Sequence, residues 1–393
     1  MTTSPPSLDP GKVLAAAAAK FEAGDGAGAQ DDLIALTLRR PDCVKGHAAL
    51  AQVRWQLGDS TSFARSYEAA LAADQKNAAL WSSYFDVLMH ARLYADVLER
   101  LEQARAAVGA QEFLDILEAT AATENNEITR ADQAFSRFDR QGHGSLQRSY
   151  MRHLLRTQRF EEAAKLGEVL VREPDGTAAW PYLATAWRVL GDSRWHWLEG
   201  NEDIARIFQI DVNLPALAEV LRNLHTAKQA PYDQTLRNGT QTYGILLDRR
   251  EPEIMDLRRA LEDSVSSYVA QLPPHDPSHP LLREPRGELG FTASWSVRLT
   301  SAGYHVNHTH PMGWISSVFY VVVPVSAGTN LNNPAGWLAL GQPPVELGLD
   351  LAPTRLVQPQ PGRLVLFPST LWHGTLPFQA GERLTVAFDV RSR

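Results

Sequence analysis

Four residues in the C-terminal part of the chain have side chains that bind metals or anions: His308, His310, His373 and Arg383. His308 and His310 are two residues apart and run into a stretch rich in β-branched and aromatic residues. On an extended strand both imidazoles therefore point to the same side of a sheet. His373 follows another apolar run and offers a third imidazole from a distant part of the sequence. Three nitrogen ligands of this kind predict a metal site.

Arg383 stands ten residues after His373, at the start of a second β-type run. A period of two places Arg383, Thr385, Ala387 and Asp389 on one face of that strand. If this face lines the interior of a barrel, Arg383 is a buried cation that requires an anion.

Composition limits the kind of protein. With 393 residues the chain can form two or three domains, each with its own core. The net charge of -7 and the pI near 6.0 argue against a general nucleic-acid or anionic-membrane binder. The single Cys43 excludes an intramolecular disulfide, and neither a signal peptide nor a transmembrane stretch is visible. We expect a soluble, cytoplasmic protein, and the oligomeric state stays open.

Residues 11–200 predict a domain of paired helices after a disordered N-terminus at residues 1–10. Gly24 and Gly58 interrupt the helical pattern 34 residues apart, and a further 34 residues lead to a helix break at Arg92. This is the period of tetratricopeptide repeats, and Pro41 and Pro174 stand where such pairs end. The turn glycine is absent from the third and fourth units, so a generic helical bundle is the alternative. About five stacked pairs would form a concave surface for a peptide or a partner helix.

The pattern changes after residue 200, and residues 201–393 predict a second domain. A short strand at residues 207–212 precedes two amphipathic helices. From residue 290 to residue 389, β-branched and aromatic runs alternate with turns rich in Gly, Pro and Asn. Strands without intervening helices indicate an antiparallel sandwich or jelly roll. The predicted fold class is multidomain α + β, a repeat solenoid followed by a β domain.

The spacing of the polar residues resembles that of iron(II)- and 2-oxoglutarate-dependent oxygenases. Members similar to prolyl 4-hydroxylase have a glycine five residues before the first histidine, as Gly303 precedes His308, and a distant histidine such as His373. Arg383 with Thr385 matches the family's Arg-x-Ser/Thr pair. The segments at residues 308–320 and 234–242 resemble, more narrowly, bacterial 2-oxoglutarate oxygenases that carry N-terminal tetratricopeptide repeats.

This resemblance implies a double-stranded β-helix, iron(II) and the cosubstrates 2-oxoglutarate and O₂. His308, His310 and His373 would hold the metal and carry the catalysis. Three further positions would then be open, two for 2-oxoglutarate and one for O₂. Most members have a carboxylate at the position of His310, so a set of three histidines, or two histidines and water, is expected instead. Residues expected at the cosubstrate are Arg383, Thr385, Tyr320 and Ser317.

Other polar residues have weaker indications. His305 is an odd number of residues from His308, so a regular strand would place its ring on the opposite face. Asp389 is considered as a remote carboxylate ligand, although its distance along the strand argues against this. Asn307 is close enough in sequence to contact the cosubstrate. Candidates for binding the second substrate are Arg237, Gln241, Trp295 and Arg298.

The sequence thus predicts a 2-oxoglutarate-dependent dioxygenase that hydroxylates a C–H bond. Its substrate would be a protein or peptide recruited by the repeat domain, with no nucleic-acid or membrane partner. Two alternatives remain open at this stage. The barrel could be degenerate and serve a binding scaffold, as the missing carboxylate suggests. The protein could also be a three-histidine dioxygenase that does not use 2-oxoglutarate, in which Arg383 holds the substrate's own carboxylate.

Overall fold

A computed structural model describes residues 9–138, 144–232 and 234–392, so residues 1–8 of the predicted disordered N-terminus lie outside it. The α-helices are α1 Pro10–Glu22, α2 Gly26–Arg39, α3 Val44–Gln56, α4 Arg65–Ala73, α5 Ala78–His90, α6 Tyr94–Val108, α7 Glu112–Glu124, α8 Ile128–Ser136, α9 Gly144–Arg156, α10 Phe160–Leu170, α11 Trp180–Leu190, α12 Arg194–Glu199, α13 Leu214–Leu224 and α14 Pro252–Ala270. None of these described helices has the length and apolar character needed to cross a bilayer.

The strands follow mainly after α14. They are β1 Arg206–Gln209, β2 Leu236–Gln241, β3 Leu289–His308, β4 Ile315–Val322, β5 Leu338–Leu340, β6 Arg355–Val357, β7 Arg363–Pro368, β8 His373–Thr375 and β9 Arg383–Ser392. Short 3-10 helices lie at Gly176–Ala179, Glu202–Ile204, Leu246–Asp248 and Val345–Leu347. A helical N-terminal region followed by an antiparallel β region is therefore confirmed.

The helix pairs of the N-terminal region turn at a constant position. Gly24 and Gly58 have φ of 90° and 100°, the left-handed region that glycine enters without steric penalty. Three non-glycine residues take the same conformation at the equivalent turns. The full series of positive-φ residues at these turns is Gly24, Gly58, Arg92, Asn126, Gln158 and Gly191. Their spacing of 34, 34, 34, 32 and 33 residues extends the predicted repeat period through the three turns that lack a glycine.

Contacts divide the chain into two compact units. The first comprises Met1–Asp139 together with Thr226–Gln234. Within it, the Trp55 indole N–H on α3 donates to the Ala230 carbonyl at 3.1 Å, which attaches the 226–234 segment to the helices. A buried ion-pair network on α6 to α8 is centred on Glu118, which accepts hydrogen bonds from Arg105, Arg130 and Arg137 at 2.8–2.9 Å.

The second unit comprises Arg140–His225 and Thr235–Arg393, and it holds the sheet together with α9 to α14. The predicted domain boundary near residue 200 follows a change in sequence pattern and stays a prediction. Within this unit, the Trp372 indole N–H reaches the Pro181 carbonyl at 3.1 Å and Thr185 Oγ1 at 3.0 Å on α11. Arg188 on the same helix donates to the Gly341 and Ala352 carbonyls, each at 2.8 Å.

The nine strands form one antiparallel sheet with the order β1-β7-β4-β9-β3-β8-β5-β6, and β2 pairs with β3. On β9, alternate residues from Leu384 to Val390 enter a core that also contains the apolar faces of α13 and α14. The intervening residues of β9 therefore lie on the opposite face, as the period of two predicts. That face carries Arg383, Thr385, Ala387 and Asp389, and it is where the polar residues of interest meet.

Candidate active site

Strand pairing brings the three histidines together. His308 is the last residue of β3 and lies opposite His373, the first residue of β8. His310 follows two residues later, and its backbone N–H donates to the Ser369 carbonyl at 2.9 Å. One ring nitrogen from each of the three lies within 4.8 Å of the others, close enough to share one ion. Among the described residues, this is the one group of metal-ligating side chains with such proximity.

The outer nitrogen of each imidazole is already engaged. His308 Nδ1 donates to the Val306 carbonyl at 2.8 Å, and His373 Nδ1 donates to the Leu371 carbonyl at 3.0 Å. His310 Nδ1 donates to Asp389 Oδ1 at 2.8 Å. Because an acceptor fixes the proton on Nδ1 in all three rings, Nε2 is the nitrogen with a free lone pair. The cluster is preorganised to bind a metal through three Nε2 atoms.

The environment keeps two of these imidazoles uncharged. Burial, reinforced by nearby His310, lowers the pKa of His308 to about 3. Burial and the neighbouring His308 likewise lower the pKa of His373 well below its usual value. Both rings are therefore neutral near pH 7. A neutral imidazole is the form that ligates a metal, so proton competition is weak at the pH where most enzymes work.

A buried cation without a counter-ion, Arg383, lies on the face of β9 that also carries Asp389. Arg383 is only 2% exposed, and among the described residues it forms no ion pair and its Nε has no hydrogen-bond partner. Its guanidinium lies 5.0 Å from the centre of the Tyr320 ring, and the buried Tyr320 hydroxyl also lacks a partner. Buried polar atoms are rarely left unpaired. The unpaired Arg383 guanidinium therefore indicates that a bound acceptor belongs here.

The three imidazoles and Arg383 line one cavity. The other lining residues are Trp295, Val297, His305, Ser317, Val318, Leu338, Phe367, Gly374, Thr375, Thr385 and Ala387. The cavity lining thus contains metal-binding nitrogens, a guanidinium that can bind an anion, and several apolar side chains. This arrangement fits an elongated ligand that coordinates a metal at one end and presents a carboxylate at the other.

A β-bulge brings His305 into this cavity, contrary to the expectation for a regular strand. Between His305, opposite Thr375, and His308, opposite His373, β3 has three residue steps and β8 has two. The extra residue turns the His305 ring to the side of His308, and the ring centres are 5.8 Å apart. His305 Nδ1 lies 3.3 Å from Thr235 Oγ1. The expectation of an opposite face was wrong because it assumed an unbroken ladder.

The remaining predicted residues separate into two groups. Thr385 and Trp295 line the cavity, and the Trp295 ring lies 5.5 Å from that of His310. Ser317 also lines the cavity, but its hydroxyl is paired with the backbone N–H and carbonyl of Phe388, both at 2.9 Å. Arg298 is not at the cavity, because it pairs with Glu382 at 2.7 Å. Other predicted residues outside the cavity lining are Asn307, Arg237, Gln241 and Tyr320.

One interaction of the site was not anticipated from the sequence. Asp389 is not grouped with the metal-ligating nitrogens and instead accepts the hydrogen bond from His310 Nδ1. The Ser316 hydroxyl donates to the same Asp389 oxygen at 2.7 Å and lies 2.9 Å from Ser369 Oγ. The shared strand face of Arg383 and Asp389 indicated their orientation. The pairing of β4 with β9 that brings Ser316 opposite Asp389 could not be read from residue spacing.

The residues present fit an iron(II) ion and 2-oxoglutarate. Three imidazole nitrogens suit a borderline divalent metal such as iron(II). The unpaired Arg383 guanidinium and Tyr320 hydroxyl offer donors for a carboxylate. When bound together, iron(II) and 2-oxoglutarate would supply the oxidation of a C–H bond by O₂, with conversion of 2-oxoglutarate to succinate and CO₂.

Comparison with known proteins gives one informative match. Residues 293–389 match a family model described as a 2OG-Fe(II) oxygenase, a segment that contains all three histidines and Arg383. Among curated proteins, none matches the chain significantly.

Several solved structures are similar to parts of the chain. A Pseudomonas putida prolyl-4-hydroxylase shares 18% identity over 48% of this chain and 93% of its own, with a TM-score of 0.33. HygX from Streptomyces hygroscopicus, with nickel and 2-oxoglutarate bound, shares 13% over 48% and 82%, with a TM-score of 0.31. A tetratricopeptide repeat protein from Parabacteroides merdae shares 12% over 47% and 74%, with a TM-score of 0.37. At these TM-scores, the structural likenesses do not bear on function.

Proposed function

We propose that the protein, whose residues 293–389 match a family model of 2-oxoglutarate- and iron(II)-dependent oxygenases, hydroxylates a C–H bond of a protein or peptide. The observation that carries this proposal is the convergence of three imidazoles beside a buried guanidinium that lacks a counter-ion. A purely structural metal site would not explain why Arg383 is buried without a counter-ion. A metal and a dicarboxylate together would give partners both to the imidazole nitrogens and to the Arg383 guanidinium.

Each residue has a distinct role in this proposal. His308, His310 and His373 hold iron(II) through Nε2. Arg383 binds the far carboxylate of 2-oxoglutarate. Tyr320 lies outside the cavity lining, but its ring is 5.0 Å from the guanidinium and its hydroxyl has no partner, so a further hydrogen bond from this hydroxyl is part of the proposal. Thr385, two residues from Arg383 on the same face, completes the pocket. Ser317 contributes indirectly, because its hydroxyl fixes the backbone of β9 beside the cavity.

The fold and the domain organisation are part of the same proposal. The nine-stranded sheet would correspond to a double-stranded β-helix, with the cavity at its open end. Residues 11–200 would form the tetratricopeptide-like repeat domain and residues 201–393 the oxygenase domain. A concave repeat surface suits an extended peptide, and this supports a macromolecular substrate. The wall beside His310 is aromatic and apolar, which suits a hydrophobic C–H donor at the metal.

The test is direct. The purified protein is mixed with iron(II) and 2-oxoglutarate under anaerobic conditions, and the visible charge-transfer band of the chelate is recorded. On admission of O₂, succinate is measured without and with candidate peptides, and peptide products are examined for the added mass of one oxygen atom. A bound metal without the band, and without succinate, would overturn the proposal. Oxidation that proceeds without 2-oxoglutarate would instead identify a three-histidine dioxygenase.

A further inference from the structure

The three proposed metal ligands are all histidines, and none is a carboxylate. The carboxylate of Asp389 nevertheless contacts one of them, His310. Asp389 is 8% exposed, and its Oδ1 lies 2.8 Å from His310 Nδ1. Burial of an ionised carboxylate costs several kcal/mol unless a cation or several hydrogen bonds compensate it. Among the described residues, no lysine or arginine pairs with Asp389. Its partners are His310 and the Ser316 hydroxyl.

Asp389 and Arg383 cannot compensate each other. They lie on the same face of β9, six residues apart. At the rise of a β-strand, this separation is about 20 Å, too far for an ion pair. The strand therefore carries two buried charges of opposite sign without a counter-ion of their own. Arg383 is satisfied when a carboxylate binds, and the matching partner for Asp389 is a cation on the other side of the His310 ring.

We propose that Asp389 is a positioning residue for the metal, which orients His310 and supplies the negative charge that its ligand set lacks. The inference rests on the proposed function. Through the hydrogen bond, the carboxylate fixes Nε2 of His310 toward the metal and makes the imidazole a stronger donor. Ser316, opposite Asp389 in the β4–β9 pairing, holds the carboxylate in place, and Ser369 supports Ser316. The negative charge of Asp389 thus acts on the ion through the His310 ring, without coordinating the ion.

Two substitutions separate the hydrogen bond from the charge. Asp389→Asn keeps an oxygen that accepts from His310 Nδ1 but removes the charge. Asp389→Ala removes both. The matched control is Asp350→Asn, which removes one exposed carboxylate from the same unit away from the cavity. Thermal unfolding with a chelator present establishes that each variant is folded. If Asp389→Ala does not fold, the comparison of Asp389→Asn with wild type is sufficient.

The first measurement is the affinity for Mn²⁺ without any cosubstrate, in the full-length protein. We expect Asp389→Ala to weaken binding by about 10- to 100-fold, as loss of such partners typically does. Asp389→Asn should fall between this value and wild type, and Asp350→Asn should match wild type. The second measurement is the charge-transfer band of the iron(II) and 2-oxoglutarate complex. Asp389→Asn should shift it to higher energy, because a less electron-rich iron donates less readily.

The outcomes distinguish this inference from the proposed function. If wild type binds Mn²⁺ and forms the band, while both Asp389 variants behave within twofold of wild type with an unshifted band, Asp389 only packs and the inference is wrong. An effect of Asp389→Ala alone, with Asp389→Asn equal to wild type, would refute the role of the charge. If wild type itself binds no metal, the proposed function fails before Asp389 is considered.

Discussion

The two units of the molecule treat buried charge in opposite ways. In the helical unit, the nearly buried Glu118 is surrounded by the guanidiniums of Arg105, Arg130 and Arg137, and these arginines also contact Asp115 or Glu127. In the sheet-bearing unit, Arg383 is more deeply buried and has no anion partner among the described residues. One cluster is complete in the protein alone, and the other is not.

This difference separates stability from binding. A network whose charges compensate each other favours the folded state and leaves nothing for a ligand. An unpaired buried cation destabilises the protein alone, and the stabilisation returns when an anion binds. Perturbed or unpaired ionisable groups in a cavity are therefore indicators of function, whereas a paired network is an indicator of architecture.

The largest expected effect comes from removal of an imidazole. His373→Ala leaves two nitrogens at the metal site, so iron(II) or Mn²⁺ affinity should fall by more than the roughly 100-fold that loss of an outer hydrogen-bond partner can cause. Titration with Mn²⁺ measures this loss. His279→Ala is the control, because His279 is also buried but binds the Leu198 carbonyl away from the cavity. Equal losses in the two variants would mean that the triad is not a metal site.

Replacement of Arg383 should change binding and stability in opposite directions. Arg383→Met removes charge-assisted hydrogen bonds to the cosubstrate, and a loss of about 3 kcal/mol, or roughly 100-fold in 2-oxoglutarate affinity, is expected. Without ligand, the variant should be more stable by about 1 kcal/mol or more, since an apolar side chain replaces an unpaired buried cation. Calorimetric titration and thermal unfolding measure both, with the exposed Arg259→Met as control. A destabilised variant would contradict the comparison.

The reverse result is expected for Glu118. Glu118→Gln leaves three guanidiniums with less compensation, and the helical unit should lose about 1–2 kcal/mol of unfolding free energy, because the arginines are partly exposed to water. The affinity for 2-oxoglutarate should stay unchanged. Chemical denaturation combined with the cosubstrate titration tests this. Weaker 2-oxoglutarate binding in this variant would show that the two clusters are coupled.

The two units should also respond to acid in different ranges. Burial lowers the pKa of His225 to about 4 and that of His308 to about 3, below the unfolded value of 6.5. The unfolded chain therefore binds more protons, and the sheet-bearing unit should lose stability as the pH falls below about 6.5. Burial raises the pKa of Glu118, but hydrogen bonds from Arg130 and Arg137 outweigh it and lower the pKa below 4.5.

The contribution of Glu118 thus persists above about pH 4.5 and is lost as the pH falls through its lowered folded value. In the helical unit, burial also lowers the pKa of His47. Both units should therefore lose stability below pH 6.5, and the loss should be larger in the sheet-bearing unit. Hydrogen exchange by region at pH 7.5 and 5.5, with a chelator present, should show greater loss of protection in the sheet. An equal loss of hydrogen-exchange protection in both units would contradict this predicted difference in acid sensitivity.

The smallest effect concerns the Tyr320 hydroxyl. Tyr320→Phe removes one neutral donor that has no protein partner and whose ring lies 5.0 Å from the Arg383 guanidinium. A loss of about 1 kcal/mol, or roughly fivefold in 2-oxoglutarate affinity, is expected together with unchanged or slightly increased stability. The change should appear in the KM for 2-oxoglutarate and not in metal affinity. A large loss of stability would mean that the hydroxyl is satisfied within the protein.

Much of the fold and of the candidate site could be predicted from the spacing of residues in the sequence. The oxygenase assignment, based on the histidines, Arg383 and Thr385, is confirmed by the family match, and the shared face of β9 follows from its period of two. The helical repeats were predicted from Gly24 and Gly58. Three turns depart from the glycine pattern, because Arg92, Asn126 and Gln158 adopt the left-handed turn conformation without glycine. Residue identity could not reveal this, since the cost of such a turn is small enough for packing to override.

The parts that could not be predicted depend on long-range pairing. The bulge that turns His305 into the cavity requires knowledge of the partner strand β8. The contact of Asp389 with His310 requires that the residues after β3 lie over the end of β9, and 79 residues separate the two side chains. Local sequence patterns determine which face a residue takes on its own strand, and they leave the register between distant strands undetermined.

The hydrogen bonds from Trp372 to helix α11 have a practical consequence for the design of fragments. The indole belongs to the residue immediately before His373, and both of its acceptors come from residues 181 and 185. An expression fragment cut near residue 200, where the sequence pattern changes, would leave this buried N–H without either acceptor, next to His373. A fragment that starts near residue 140, where the sheet-bearing unit begins, would keep both acceptors.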